Sequence, residues 1–398
     1  MDILKSKTSN GLILVLNLGS SSLKFSIIHQ ISLERKYKGE VIGLDSREVV
    51  MVIHADENKY HFKKILASVD LKGCMQSIIE WMHGEIDSTE IVAIGYRVVQ
   101  GGPKHTHPER ISEKLLKDLE SYVYLAPNHL PDEIKLIRTF RNSFIGIPHF
   151  ACFDTYFHKD MPIHAKFYPL PDKYKEIGLM RYGFHGLSYE SIFQQLLEED
   201  VDIKNQKIII AHLGSGSSMV AIGGGFGKDT TMGISPMGGL AMATRSGDLD
   251  PGAILFLFKQ DQLSTDDLDE LLSKESGLKA IAGSSDMREI IAKRKRYPKA
   301  AEALEIFCYQ AKKQIGAYAA ALGGINLLVF CGGIGENAAL VREKICIDMG
   351  FIGITLDLRA NVKADPIISV SNSKVTVRLM KTDEELMIAF HAQQLLSL

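Results

Sequence analysis

Apolar runs separated by turn-forming residues define the secondary structure that this sequence predicts. The clearest case is the stretch 12–28, LILVLNLGSSSLKFSII, in which Asn17, Gly19 and three serines interrupt two apolar runs. Each run is too short for a stable helix, so the pattern predicts a buried strand, a tight turn and a second strand folded back on the first. Small turn residues leave backbone N–H groups open to a phosphate. A Ser/Gly hairpin that binds no ligand is equally consistent with this stretch.

The same pattern returns in the second half of the chain, in the stretch 208–222, IIIAHLGSGSSMVAI. When the two stretches are aligned, His212 falls on Asn17 and Gly214 on Gly19, an offset of 212 − 17 = 195 residues in a chain of 398. Repetition at half the chain length predicts two similar α/β domains. Each domain would present its hairpin to a shared cleft that takes a phosphate-bearing ligand.

Helical spacing of apolar residues predicts helices at 71–83 and 301–322, and continuous apolar runs predict strands at 91–99 and 327–330. Two capping patterns are also recognisable. Ser188 is predicted to cap a helix that ends near residue 199, and Thr382 with Glu385 is predicted to form a capping box for the last helix. The sequence GGIGEN (332–337) follows the strand at 327–330, an order typical of a nucleotide-binding crossover.

Several polar residues interrupt apolar segments and are candidates for chemistry. Arg97 lies in a run of valines, where its charge requires a partner; a structural pair with a carboxylate and a site for an anionic ligand both meet that requirement. Asp154 lies in the aromatic run FACFDTYF, and a carboxylate there predicts a functional role. Arg245 is a second candidate for anion binding, in a weakly periodic segment, 228–250, of the kind that often carries function.

Composition excludes some classes of protein. A chain of 398 residues, 45% hydrophobic and 24% charged, suits two globular domains. A net charge of −2 argues against a nucleic-acid partner. The five scattered cysteines predict buried free thiols rather than disulfides or a metal site. No signal-peptide core and no membrane-spanning run is recognised, so we expect a soluble, cytoplasmic protein without a membrane partner.

A series of motifs between about residues 14 and 389 resembles the acetokinase family, which comprises the acetate and propionate kinases. The motifs are NLGSSSLK (17–24), RVV-GG (97–102), LAP-H-P (125–131), FDT-FH (153–158), RYGFHG (181–186), HLG-G-S (212–217), ATRSGDLDP (243–251), SDMRE (285–289), GGIGEN (332–337) and T-EEL-IA (382–389). Their number and order make the resemblance specific.

The resemblance implies a fold and an activity. The fold would be α/β, with two duplicated ribonuclease-H-like domains as in the actin, sugar-kinase and heat-shock ATPase superfamily, and an active site in the interdomain cleft. The N-terminal domain would comprise residues 1–153 and 386–398, and residues 154–385 would form the C-terminal nucleotide-binding and dimerisation domain of a homodimer. The activity would be reversible phosphorylation of acetate by ATP, giving ADP and acetyl phosphate, with Mg²⁺ or Mn²⁺.

Matching of motifs also implies a role for each site residue. The catalytic residues would be Arg97, Asp154, His185 and Arg245, with His129, His185 and Arg245 stabilising the transition state. The acid would contact Arg97, Val99, Asn128, Phe184 and Pro236. The metal ion would contact Asn17 and Glu384. The nucleotide would contact Asn17, Ser20, Ser22, Lys24, His212, Gly214, Ser215, Gly216, Asp286, Met287, Arg288, Gly332, Gly333, Ile334, Gly335 and Asn337.

These roles suit phosphoryl transfer, which needs positioning and cations rather than covalent help. No general base is needed because acetate is ionised at pH 7. We therefore expect alanine at Arg97 or Arg245 to lower turnover by orders of magnitude without unfolding the protein.

The sequence departs from the family pattern at several positions. Tyr96 and Gln100 replace histidines, Asn128 replaces leucine, Leu130 replaces asparagine, and Ser215 replaces the asparagine of a Gly-Asn-Gly turn. Asn128 would make the wall around the acyl methyl group more polar, so propionate or another short, more polar acid is an alternative substrate. A sugar kinase of the same superfamily and a non-catalytic actin-like nucleotide binder are further alternatives. The two arginines and His185 argue against the non-catalytic alternative.

Overall fold

Two sheets organise the described chain, one in each of two units. The computed structural model describes residues 11–19, 22–44, 48–55, 60–67 and 70–397. The first unit comprises the residues up to Tyr156 together with those from Asp383 onward, and the second unit is Phe157–Thr382.

The first unit contains an eight-stranded sheet in its described part, in the order β5-β4-β3-β2-β1-β6-β8-β7. The predicted hairpin is confirmed: β1 and β2 are antiparallel, and Asn17 pairs with Lys24 near the turn. Ser20 and Ser21, in that turn, lie outside the described residues. The strands are β1 (Leu12–Leu18), β2 (Ser22–His29), β3 (Arg35–Ile42), β4 (Glu48–Ala55), β5 (Tyr60–Ala67), β6 (Ile91–Val98), β7 (Glu109–Arg110) and β8 (His149–Phe153).

The second unit contains a five-stranded sheet in the order β11-β10-β9-β12-β13. Its hairpin, β9 with β10, is again antiparallel, and His212 pairs with Ser218 near the turn. The strands are β9 (Ile208–Leu213), β10 (Ser217–Gly223), β11 (Phe226–Thr230), β12 (Leu327–Cys331) and β13 (Thr376–Leu379).

The two sheets share one topology, which confirms the duplication predicted from the 195-residue repeat. In the first sheet the order β3-β2-β1-β6-β8 has two antiparallel pairs followed by two parallel pairs. The order β11-β10-β9-β12-β13 has the same pairs in the same sequence. Asn17 and His212, which align in the repeat, occupy the same place in their units. Each is the penultimate residue of the central strand, β1 for Asn17 and β9 for His212. The α/β class and the duplicated fold are therefore confirmed.

Helices cover both sheets. The first unit has α1 (Leu71–Glu85), α2 (Glu113–Ser121), α3 (Leu130–Ser143) and the C-terminal α15 (Glu384–Leu396), which packs on β1 and β6. The second unit has α4 (Ile163–Lys166), α5 (Asp172–Glu176), α6 (Gly186–Glu199), α7 (Pro251–Gln260), α8 (Thr265–Lys274), α9 (Gly277–Ala282), α10 (Met287–Lys293), α11 (Pro298–Leu322), α12 (Gly332–Asn337), α13 (Ala339–Cys346) and α14 (Leu358–Lys363).

Two predicted helix caps are wrong. Helix α6 begins directly after His185, so Ser188 is a buried residue inside its first turn rather than the cap. The cap of α15 is Asp383, whose carboxylate accepts a hydrogen bond from the backbone of Leu386. Asp383 is also bound by Arg35 at 2.6 Å. The capping pattern at residues 382–385 was ambiguous because two adjacent side chains, Thr382 and Asp383, are both good caps.

The long helix α11 lies in the core of the second unit. The predicted apolar face is buried at Leu304, Phe307, Cys308, Ala311, Ile315 and Tyr318. All five cysteines of the chain are buried and free, as predicted. Within the described residues, no helix combines the length and the apolar character needed to cross a membrane.

Replacing Gly316 by alanine is expected to stabilise the protein. Gly316 lies inside α11, and apart from its chain neighbours and the adjacent helix backbone an added Cβ would meet no atom within 4 Å. Alanine should therefore raise the free energy of unfolding by about 0.5–1 kcal/mol, measured as a higher urea midpoint by circular dichroism. Gly39→Ala is the contrasting control, because its Cβ would lie 2.2 Å from the Phe25 ring and should destabilise. A lower urea midpoint for Gly316→Ala than for the wild type would contradict the inference that this position has room for a methyl group.

Candidate active site

In the first unit, the end of the central strand meets the start of the last helix. The Asn17 side-chain amide donates to Glu384 Oε2 at 2.8 Å, although 367 residues separate them in sequence. Asn17 is 6% exposed and Glu384 is half-buried, so the amide and the carboxylate form a partly buried contact near the end of β1. Both residues were predicted metal ligands, and the fold brings them together. Ser22 and Lys24 follow on β2, with Lys24 exposed.

Arg97 lies at the end of β6, beside this contact. Its guanidinium donates to Asp154 Oδ2 at 2.7 Å and to the Leu18 carbonyl oxygen at 3.1 Å. Burial alone would lower the pKa of Arg97. The attraction of the guanidinium to the carboxylates of Asp154, Glu384 and Glu133 is larger than this effect, and it raises the pKa of Arg97. The carboxylate partner that sequence reasoning required is therefore Asp154, which is fully buried at the end of β8.

Glu133 is a member of this cluster that sequence reasoning missed. Its Oε1 lies 3.7 Å from Arg97 Nη1, and its Oε2 accepts a hydrogen bond from the Val99 backbone N–H at 3.0 Å. Burial raises the pKa of Glu133 to about 7, against the opposing effect of Arg97. No local pattern marks Glu133 as a site residue, because a glutamate in the first turn of a helix is expected from the helix dipole alone.

A pocket of about 230 Å³ opens next to this cluster within the first unit. Asn128, His129, Glu133, Leu18 and Gly19 are among its lining residues. His129 immediately precedes α3, and Asn128 is exposed at the pocket. Two predicted site residues, Asn128 and His129, therefore lie in one pocket with the hairpin end of β1.

Two of the departures from the family pattern have local structural explanations. The Tyr96 hydroxyl lies 2.7 Å from His149 Nδ1, and the two rings stack within the core of the first unit. Burial raises the pKa of Tyr96 and lowers the pKa of His149 to about 4, so the pair is neutral. Gln100 is buried, and its side-chain oxygen accepts a hydrogen bond from the Gly102 backbone.

In the second unit, His185 and Arg245 flank the hairpin turn between β9 and β10. A Cβ on Gly216 would lie 3.3 Å from His185 Nε2 and 3.7 Å from Arg245 Nη1, so the glycine makes room for both side chains. Arg245 donates to the Pro236 carbonyl oxygen at 3.1 Å. The His185 ring stacks on the His212 ring, with 4.3 Å between their centroids.

The backbone and the side chain of His185 are both constrained. Its φ is 57°, a left-handed conformation that costs a non-glycine residue of the order of 1–2 kcal/mol. Its Nδ1 lies 2.8 Å from Ser218 Oγ, which is also in contact with the Tyr189 hydroxyl. Ser218 and Tyr189 are fully buried and fix the direction of the ring, so that Nε2 faces the turn. Sequence reasoning missed both residues, which look like ordinary core positions.

A pocket of about 900 Å³ in the second unit is lined by eight of the sixteen predicted nucleotide-binding residues. It is also lined by Ser285, Ile291 and Ala338, which were not predicted. Gly332 has a φ of 78°, and a Cβ there would collide with the Leu213 carbonyl oxygen. The predicted residues that line this pocket are Gly214, Ser215, Asp286, Met287, Arg288, Gly333, Ile334 and Asn337.

A buried arginine holds the glycine-rich segment of this pocket. Arg342 is 1% exposed and donates to the carbonyl oxygens of Gly335 and Glu336, both at 2.9 Å. Its other nitrogens donate to the side chain and the carbonyl oxygen of Asn361 at 2.7 Å. Hydrogen bonds from Arg342 to the last turn of the Gly332–Asn337 segment therefore hold that segment in place.

The predicted site residues thus form two groups, one in each unit. The first unit brings together Asn17, Glu384, Arg97, Asp154, Val99, Asn128 and His129. The second unit brings together His185, His212, Gly216, Pro236 and Arg245, and eight of the predicted nucleotide-binding residues line a pocket of the same unit. Phe184 is buried in the second unit, and its carbonyl oxygen contacts His158. That the two groups act together stays a prediction.

The chain is similar to known proteins over nearly its whole length. Residues 12–390 match the model of the acetokinase family. An acetate kinase of Nitrobacter hamburgensis is 38% identical over 390 residues, 96% of each chain. The crystal structure of Porphyromonas gingivalis acetate kinase superposes with a TM-score of 0.87 at 36% identity, covering 97% of this chain and 100% of that one. A propionate kinase of Francisella tularensis gives a TM-score of 0.90 at 33% identity with the same coverage. The chain therefore belongs to the acetokinase family.

Proposed function

We propose that this protein phosphorylates acetate with ATP, reversibly, giving ADP and acetyl phosphate. The observation that carries the proposal is the family match over residues 12–390, with relatives named acetate kinase that align over nearly both full lengths. Propionate is the second candidate substrate, because a propionate kinase is among the similar solved structures.

The reaction places specific demands on the protein. An acetate oxygen attacks the γ-phosphorus of ATP, the bond from that phosphorus to the β–γ bridging oxygen breaks, and ADP leaves with the electron pair. No proton is transferred, because the acid is already ionised. The moving phosphoryl group is negatively charged, so cations and hydrogen-bond donors around it supply most of the catalysis.

We assign the acid to the first unit. Arg97 would hold the carboxylate, and Asp154 would keep the guanidinium in place through their 2.7 Å contact. Val99 follows Arg97 by two residues and is 2% exposed, which suits a residue that touches the acyl group. His129, at the start of α3, would donate to the phosphoryl group. In this arrangement Asp154 positions Arg97 rather than acting as a base.

We assign the nucleotide and a second set of donors to the second unit. Arg245 and His185, next to the turn at Gly216, would stabilise the charge on the migrating phosphoryl group. The pocket lined by Asp286, Arg288 and the glycine-rich segment would hold the nucleotide. Backbone N–H groups of such turns are suited to phosphate oxygens.

Mg²⁺ fits the donors at the first hairpin. Asn17 offers an amide oxygen and Glu384 a carboxylate, and the two side chains are in contact. The described residues contain no group of three or more His, Cys, Asp or Glu suited to a metal ion, so phosphate oxygens and water would complete the coordination, as is usual for Mg²⁺. The ion, or Mn²⁺ in its place, would neutralise charge on the nucleotide phosphates.

A homodimer in the cytoplasm completes the proposal. Helix α7 has the sequence PGAILFLFKQ, yet none of its residues is buried within this chain. Leu255, Phe256 and Phe258 are 50–63% exposed, an apolar face that a second copy of the chain would cover. Light scattering should give twice the chain mass of 44.1 kDa. The buried free thiols suit a reducing compartment.

Replacing Ser218 by alanine is expected to lower kcat about tenfold and to change the KM for ATP less than twofold. Ser218 orients His185 through the 2.8 Å contact at Nδ1, and losing that contact weakens, without removing, a donor to the transition state. Initial rates with ATP and acetate measure the effect. Ser26→Ala is a matched control, because Ser26 is equally buried on β2 and its hydroxyl has no hydrogen-bond partner among the described residues. Equal activity of both variants would contradict the orienting role.

The proposed function is tested by trapping acyl phosphate as the hydroxamate, with ATP and Mg²⁺ and a panel of acetate, propionate, butyrate, hydroxy acids and a hexose. Acetate is expected to give hydroxamate and an equal amount of ADP. ADP formed with the hexose alone would indicate a sugar kinase. Nucleotide binding without acyl phosphate from any acid would indicate a non-catalytic binder and would overturn the proposal.

A further inference from the structure

A buried histidine to which the proposed function gives no role lies next to the segment that carries His185. This residue is His158, which is 1% exposed and belongs to the second unit. Its Nε2 lies 3.0 Å from the carbonyl oxygen of Phe184, the residue that precedes His185. A carbonyl oxygen only accepts hydrogen bonds, so Nε2 carries a proton and is the donor. Burial lowers the pKa of His158 to about 4, so its ring is neutral at pH 7.

The His158 ring packs closely against the turn that leads to His185. A Cβ on Gly183, whose φ is 75°, would lie 2.5 Å from the His158 ring and 2.6 Å from the Thr230 methyl group. The other ring nitrogen of His158, Nδ1, is buried and has no hydrogen-bond partner among the described residues. A buried acceptor without a donor lowers stability, so stability alone does not favour a histidine at this position. Such a residue is typical of a functional site.

His158 is connected to His185 by two routes. The first is the backbone, because the Phe184 carbonyl belongs to the peptide plane that precedes His185 and helps to define its φ of 57°. A non-glycine residue keeps a left-handed conformation only where the surrounding structure holds it. The second route is through side chains. The rings of His158 and Tyr189 meet edge to face, with 5.7 Å between their centroids. The Tyr189 hydroxyl contacts Ser218 Oγ, which lies 2.8 Å from His185 Nδ1.

We propose that His158 is a positioning residue for His185, which holds the backbone and the ring of His185 so that Nε2 of His185 faces the turn at Gly216. The proposal rests on the proposed function, because it takes His185 to be a donor to the phosphoryl group. His158 is buried and acts through His185 rather than on the substrates. Loss of this support misplaces a transition-state donor, so it slows the chemical step and leaves substrate binding unchanged.

Leucine and glutamine at position 158 separate the hydrogen bond from the volume of the side chain. Leucine fills much of the space but donates no hydrogen bond, whereas the amide nitrogen of glutamine can donate from the place of Nε2. His158→Leu should lower kcat about tenfold and change the KM for ATP and for acetate less than about twofold. His158→Gln should restore kcat to within about threefold of the wild type. A wild-type kcat in His158→Leu, or no recovery in His158→Gln, would overturn the proposal.

Double variants test whether the effect passes through His185. In a His185→Ala background, His158→Leu should lower the remaining kcat less than about twofold, because the group that it positions is already absent. In a Ser218→Ala background, the combined loss should stay well below the product of the two single losses, because both residues act on the same ring. Ile315→Val, at a fully buried position of α11, is the control for a general loss of packing and should leave kcat unchanged. An undiminished effect of His158→Leu in both backgrounds would show a role independent of His185.

Failure of this inference can be told apart from failure of the proposed function. The position of the proton on His158 is measurable without turnover, from long-range ¹H–¹⁵N spectra in which the His158 signals are assigned by their loss in His158→Gln. A proton on Nε2 at neutral pH is expected, and a proton on Nδ1 would overturn the inference. If no acid, including acetate, yields acyl phosphate, the proposed function is wrong. If acetate is phosphorylated and His158→Leu keeps the wild-type kcat, the kinase assignment stands and only the positioning role is rejected.

Discussion

Replacing Arg245 by alanine should lower kcat about 10³-fold while the protein stays folded. An arginine directed at a transferring phosphoryl group contributes on the order of 10³–10⁵ to the rate. Arg245 is half-buried beside Gly216 and donates to the Pro236 carbonyl oxygen, a hydrogen bond whose loss costs about 1 kcal/mol. Turnover and thermal unfolding of the same preparation measure both effects.

Lysine at position 245 should recover only part of the rate, because it keeps the charge but not the two-pronged donor geometry. Arg359→Ala is a suitable control, since Arg359 is exposed on α14, far from any motif residue in sequence. Normal turnover in Arg245→Ala would remove this arginine from the catalytic group.

Replacing Arg97 by alanine should abolish turnover and also destabilise the protein, by about 3–5 kcal/mol. The sequence alone suggested that the fold would be unaffected, and the structure changes that expectation. Arg97 neutralises Asp154, which is fully buried, and lies next to the buried Glu133. Removing one partner of a buried ion pair leaves an uncompensated charge, which is more costly than losing the contact itself. Urea unfolding monitored by circular dichroism measures the loss.

A double variant separates the two effects. Arg97→Ala combined with Asp154→Asn should be more stable than Arg97→Ala alone, because the uncompensated carboxylate is gone, while turnover stays absent. Asp154→Asn alone should keep part of the activity, since the Leu18 carbonyl oxygen and Glu133 still contact the guanidinium. If the double variant lost as much stability as the two single variants added together, Asp154 and Arg97 would not be energetically coupled.

Much of the fold could be read from local patterns. Apolar runs broken near Asn17 and His212 specified two hairpins, because strand pairing across a short turn joins residues that are close in sequence. The offset of 195 residues between the two patterns specified the duplication. The buried face of α11 followed from helical spacing in the same way. The caps at Ser188 and Thr382 were wrong because several adjacent residues could serve, and the surrounding chain selects among them.

The sequence by itself determined the repeat, the α/β class and the residue types available for phosphoryl transfer, since these are properties of short segments and of ordered motifs. Only the tertiary structure decided which of these residues meet. Asn17 contacts Glu384, Arg97 pairs with Asp154, and Glu133 joins them, through parallel pairing of distant strands and docking of the last helix on the first sheet. The physical reason is that such contacts join segments far apart in sequence, so no local pattern specifies them. Packing and charge neutralisation in the folded chain specify these contacts instead.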